Sequence, residues 1–133
     1  MALAQLAYHF SEAGPGAAAK ALDYARRSAE HATQLLAFEE AARLYRLALQ
    51  LQQQQFAKDA AQRCGLLLGL GRVDRSIGAG EPAKTAFQEA AELARNHGLP
   101  AQFAQAAVGF ESANVITANS GEAAVALLLE AIA

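Results

Sequence analysis

The sequence predicts an all-α fold, a superhelix of about seven antiparallel helices. Three observations predict it. The hydrophobic fraction is 53%, much of it alanine, with three prolines and no tryptophan. Alanine is the best helix former, and its small side chain lets helices approach closely. Apolar residues recur at helical spacing between short Gly, Pro and Asn breaks, and no period-two run of β-branched residues suggests a strand. One stripe of small and large residues also recurs at a nearly constant interval along the chain.

The elements follow in order. Leu3, Leu6, Ala7 and Phe10 predict a first helix over 2–13, which Gly14-Pro15-Gly16 stops. A second runs from about 17 to 34, with Leu22, Ala25, Ala29 and Ala32 on one side and Arg26, Arg27 and Glu30 on wet faces. A break at Leu36-Ala37 leads to a third over 38–54. Glu39 and Glu40 lie in its first turn, where the helix dipole favours negative charge. Its stripe is Ala41, Tyr45 and Ala48, with Leu44, Leu47 and Leu51 beside it, and the run Gln52–Gln55 reads as a solvated helix end.

A fourth helix covers about 57–77, with Leu66, Leu67, Leu70 and Val73 apolar. Gly78-Ala-Gly80-Glu-Pro82 breaks the chain, and Pro82 stands where a first-turn proline is tolerated. The fifth runs over 82–96, with Gly98 as its stop. Pro100 opens a sixth, to about 118. Asn119-Ser-Gly121 precedes a seventh from Glu122, carrying Ala124, Leu128 and Ala131.

Three stripes align: Ala41/Tyr45/Ala48, Ala83/Phe87/Ala90 and Ala124/Leu128/Ala131. Their offsets are 42 (83 − 41) and 41 (124 − 83). A constant interval of this size marks stacked supersecondary units that cannot bury their apolar faces alone. In the middle copy Gly71 is the small residue that lets the paired helices cross, and Phe87 fills the space between hairpins. These residues resemble the tetratricopeptide repeat. Leu70-Gly71 matches the leucine-glycine pair of that family's first helix, and Ala83, Phe87 and Ala90 match the alanine, aromatic and alanine of its second. Ala29 stands for the glycine in the first copy and Ser112 in the third, and Leu128 replaces the aromatic. The family's usual interval is about 34 residues, so these helices are longer.

The resemblance extends to the arrays of multidomain bacterial LuxR-type ATPase transcriptional regulators and of some adenylate/guanylate cyclases. Leu6-Ala-Tyr-His-Phe-Ser-Glu-Ala-Gly14, Ala21-Leu-Asp-Tyr-Ala-Arg-Arg-Ser-Ala-Glu-His-Ala32, Ala37-Phe-Glu-Glu-Ala-Ala-Arg-Leu-Tyr45 and Ala107-Val-Gly-Phe110 carry it. It implies that residues 1–133 form a single helical-repeat domain of a larger protein. Leu127-Leu-Leu-Glu-Ala-Ile-Ala133 ends in mid-helix pattern, which fits such a segment.

Motifs for chemistry are weak. His9, His31 and His97 stand far apart, and none has a His or Cys partner at metal-ligand spacing, so no metal is expected. Cys64 is the lone cysteine. It excludes an internal disulfide, favours a cytosolic setting and reads as a buried small hydrophobe. Gly65-Leu-Leu-Leu-Gly-Leu-Gly71 lacks the Gly-Lys-Ser/Thr of a phosphate loop and a preceding strand. Glu89, Glu92, Glu111 and Glu122 fall on different helices and make no acid/base pair. No secretory signal and no span of the ~20 apolar residues needed to cross a bilayer is present. The net charge of −2 gives no broad attraction to nucleic acid or anionic lipid.

The expected function is therefore non-catalytic and cofactor-free: a cytoplasmic scaffold for protein or peptide contact, or a relay between neighbouring domains of the parent chain. In this repeat type the first helix of each hairpin lines the groove. Arg72 and Arg75 follow Leu68 at spacings of four and seven on one helix face, and Arg26 and Glu30 take a related face of an earlier helix. Such arginines suit a carboxylate, which makes an effector-sensing groove the alternative reading. Leu127, Leu128, Leu129 and Ile132 point in several directions on one short helix and predict self-association of the fragment.

Overall fold

The computed structural model describes residues 15–117 and 122–132. The helix expected over 2–13 lies outside them. Among the described residues all regular structure is α-helical. The helices are α1 (Pro15–Gln34), α2 (Phe38–Gln55), α3 (Ala60–Ile77), α4 (Gly80–Asn96), α5 (Pro100–Thr117) and α6 (Glu122–Ile132). They form two compact units that divide between Asp59 and Ala60. In the first, α1 packs on α2. In the second, consecutive helices pack in order, and α3 also touches α5. That contact between first helices of successive hairpins makes the arrangement repeat-like.

Helix boundaries follow local chemistry. Pro15 and Pro100 occupy the first positions of α1 and α5, where the missing N–H would have had no partner. Pro82 is the third residue of α4 and uses the same tolerance. The C-termini of α1, α3 and α5's predecessor α4 close on residues in the left-handed region: Leu36 (φ 61°), Gly78 (φ 88°) and Gly98 (φ 66°). At the first two sites the chain makes both bonds of a Schellman cap. Ala37 N–H donates to the Ala32 carbonyl (2.9 Å) and Leu36 N–H to Thr33 (3.0 Å). Ala79 donates to Asp74 (2.8 Å) and Gly78 to Arg75 (3.0 Å). Glycine adopts this geometry freely, whereas Leu36 does so against the steric preference of a Cβ.

One expectation needs correcting. Gln52 is not part of a solvated end but fully buried. Its Nε2 donates to the carbonyls of Phe56 (2.6 Å) and Asp59 (3.2 Å). A buried amide must be satisfied, and here it meets two carbonyls beyond α2 and ties residues 56–59 into a turn, which the Asp59 N–H also closes on the Phe56 carbonyl (2.9 Å). That turn delays α3 to Ala60, three residues after the expected start. Gln53, Gln54 and Gln55 are exposed.

The core is built from alanine stripes with a few large residues between them. Ala21, Ala25 and Ala29 of α1 are fully buried, as are Ala41 and Ala48 of α2, with Tyr45 nearly so. In the second unit Ala83 and Ala90 flank Phe87, which is 1% exposed. Small flanks allow close helix axes, and the large central residue fills the volume between them.

A candidate groove between α3 and α5

Phe87 organises the second unit. It projects from α4 towards two glycines on different helices. A Cβ at Gly71 of α3 would come within 2.7 Å of the ring's Cζ, and a Cβ at Gly109 of α5 would overlap the same ring. Both glycines lie inside helices, where glycine costs about 1 kcal/mol relative to alanine. The close approach of the ring supplies the reason for each. Gly109 was not singled out from the sequence as a packing residue. An interior helical glycine without a turn nearby is the signal that could have found it.

The ring forms the floor of a recess of about 400 Å³. Arg72 and Arg75 border it from α3, and Ala104, Gln105, Val108 and Gly109 from α5. Spacings of three on α3 and of three and four on α5 put each set on one helix face. Arg72 Nη2 donates to Gln105 Oε1 at 3.3 Å, which joins the two rims. Arg75 is half-buried, and Val108 keeps 57% of its surface exposed.

The arginines of the groove differ from most others. Arg26 reaches Asp23 and Glu30, both at 2.8 Å, and Arg27 reaches Asp23 at 3.3 Å. Arg43 pairs with Glu40, Arg63 with Glu89 (3.3 Å) and Arg95 with Glu130 (3.3 Å). Among the described residues, neither Arg72 nor Arg75 has a carboxylate within salt-bridge distance.

The other sequence-selected residues fall into distinct places. Leu68 and Leu70 are buried, and Leu68 is not among the residues that border the recess with Arg72 and Arg75. Arg26 and Glu30 bind each other in the first unit. Hydrogen bonding to Arg26 holds the Asp23 carboxyl below the usual carboxylate range, against a smaller opposing effect of burial. Leu127 and Leu128 are half-buried, Ala131 likewise, and Leu129 and Ile132 are 62% and 82% exposed. The side chain of Ala124 lies outside the described residues. A second recess, of about 370 Å³, is bordered by Arg95, Phe103, Glu130 and Ile132, and its charges already pair.

Reactive groups are not gathered. Cys64 is fully buried, its thiol donating to the Ala90 carbonyl at 3.4 Å, and burial pushes its pKa up. His31 and His97 are exposed, and His97 Nδ1 lies 3.0 Å from the Leu93 carbonyl. His9 is outside the described residues. Among the described residues no three His, Cys, Asp or Glu side chains stand where they could hold a metal ion. No described helix is long and apolar enough to cross a membrane. Compared with protein-family models, curated proteins and solved structures, the chain matches none.

Proposed function

We propose that this chain is a non-catalytic interaction scaffold, a tetratricopeptide-like segment of a cytoplasmic bacterial signalling or transcriptional regulator. Its helices would continue a right-handed superhelix that recognises partners by shape. The packing of Phe87 against Gly71 and Gly109 carries this reading. One aromatic residue joins two successive hairpins, which is how stacked repeats build a continuous binding surface. The partners would be a protein or peptide and the neighbouring domains of the parent, with neither nucleic acid nor membrane. Exposed Leu129 and Ile132 add a surface for a second copy of the chain.

Peptides selected from a random display library against the purified chain test the scaffold. Their amide shift changes are expected at Ala104, Gln105 and Val108, with binding lost in Val108→Glu. Selected peptides that bind without touching α3 or α5 would overturn it. Light scattering over a dilution series tests the second surface. A dimer that survives Leu129→Glu with Ile132→Glu unchanged would remove those residues from it.

A second reading has its own observation. A recess of about 400 Å³ with two arginines lacking carboxylates suits a groove that senses a small effector. In that case the array would bias an output domain by the effector's preference for one arrangement of the helices.

A further inference from the structure

We infer that the groove between α3 and α5 binds a small dicarboxylic acid with an apolar middle, held at its two ends by Arg72 and Arg75. The inference rests on the effector reading and names the ligand's chemistry.

An exposed arginine without a carboxylate is ordinary by itself, because water satisfies it. Position distinguishes this pair. Both side chains border one recess and lie three residues apart on α3, so their Cβ atoms are about 5–6 Å apart. The Gln105 amide holds Arg72 across the recess at 3.3 Å, which orients one guanidinium before any ligand arrives. Half-burial of Arg75 raises the value of a partner there, since a charge near apolar walls is poorly hydrated. Each guanidinium offers a planar fork that fits a carboxylate with two parallel hydrogen bonds. Two forks call for two anionic groups.

The walls set the rest. Ala104 and the largely exposed Val108 give an apolar side, and Phe87 closes the floor. Inorganic phosphate would meet the charges and leave Val108 in water. An aliphatic linker between two carboxylates would cover it. The volume of about 400 Å³ is at the small-molecule end of binding cavities and favours a free acid over a length of chain.

The test is a titration of the ¹⁵N-labelled chain with adipate, hexanoate, 1,6-hexanediol, phosphate and the blocked peptide acetyl-Glu-Leu-Glu-amide. Adipate is expected to move the amides of Ala104, Gln105, Val108 and Gly109, and to bind at least about fivefold more tightly than hexanoate. Arg72→Gln and Arg75→Gln should each weaken adipate by about fivefold with no change in helix content or Tm. If either variant fails to fold, salt decides: adipate affinity in the unchanged chain must fall as ionic strength rises. A flat salt response, or variants that bind as before, overturns the charge grip. Phosphate binding as tightly as adipate reduces the groove to a simple anion site and overturns the named ligand. Peptide or diol binding ahead of adipate overturns the dicarboxylate but keeps the groove. No shift at the groove with any probe overturns both the ligand and the effector reading.

Discussion

The α1–α2 and α3–α4 hairpins turn through the same backbone motif with different residues at its key points. Leu36, Ala29 and Tyr45 lie 42 residues before Gly78, Gly71 and Phe87 (78 − 36, 71 − 29, 87 − 45). At the cap, the first hairpin places a leucine in the left-handed region where the second has glycine. At the crossing, it has an alanine where the second has none of a side chain at all. Tyr45 remains 7% exposed and Phe87 only 1%. Charges differ too. In the first hairpin Asp23–Arg26–Glu30 and Glu40–Arg43 pair within one helix. The second unit also pairs across helices, through Arg63–Glu89, Arg95–Glu130 and the Gln102 amide on the Ala61 carbonyl (3.2 Å). Local pairs support a helix on its own, whereas pairs across helices hold their register. The cross-helix pairs of the second unit help to hold the register on which its groove depends.

The largest effect should come from the ring itself. Phe87→Ala is expected to cost about 3–5 kcal/mol in urea unfolding, because two helices face the cavity it leaves. Tyr45→Ala should cost less, and equal losses would erase the contrast between the hairpins.

Gly71→Leu should cost on the order of 1–3 kcal/mol, since its first carbon already meets a fully packed ring. Unchanged stability would mean that Phe87 can leave its seat without penalty. The same measurement on Ala29→Leu in the first unit would sharpen the comparison.

Leu36→Gly is expected to stabilise by about 0.5–1 kcal/mol, as relief of the left-handed strain outweighs the added freedom of the unfolded chain. Gly78→Leu should destabilise by a similar or larger amount. A thermal melt in which both changes have the same sign would show that the two caps are not equivalent.

The smallest effect is that of acid. Hydrogen bonding to Arg26 depresses the Asp23 carboxyl, and hydrogen bonding to Arg43 depresses Glu40. A lowered folded value means that the stabilisation is present above the ordinary carboxylate range and is lost as pH falls through the folded value. Both side chains are close to half exposed, at 48% and 46%, so solvent screening holds each contribution below about 1 kcal/mol. A unit that loses several kcal/mol on removing Arg26 and Arg43 would contradict this.

Helix extents were legible because their signals are local. Pro100, Gly78 and Gly98 act through the dihedrals of one residue, and the alanine stripes act through the 3.6-residue period, whereas Pro15, read as part of a break, opens α1. The middle stripe was legible for the same reason. Gln52 was not, because its burial depends on carbonyls four and seven residues ahead that exist as partners only once the turn forms. Both Gly71 and Gly109 meet a ring from another helix, and only Gly71 stands in a leucine-glycine pair that marks it in the sequence, so Gly109 was missed. Arg26 and Glu30 share the residue types of a groove contact, yet each finds its partner one turn away on α1.

By itself, the sequence determined the helical class, the places where helices stop and the recurrence of one stripe about every 42 residues. Those properties follow from backbone sterics and from which residues share a helix face. Only the tertiary structure decided that Gly71 and Gly109 face one ring, that Arg72 and Arg75 border one recess, and that most other arginines are already paired. Such facts arise from helix-to-helix distances, which depend on how side chains from distant parts of the chain fill a shared volume.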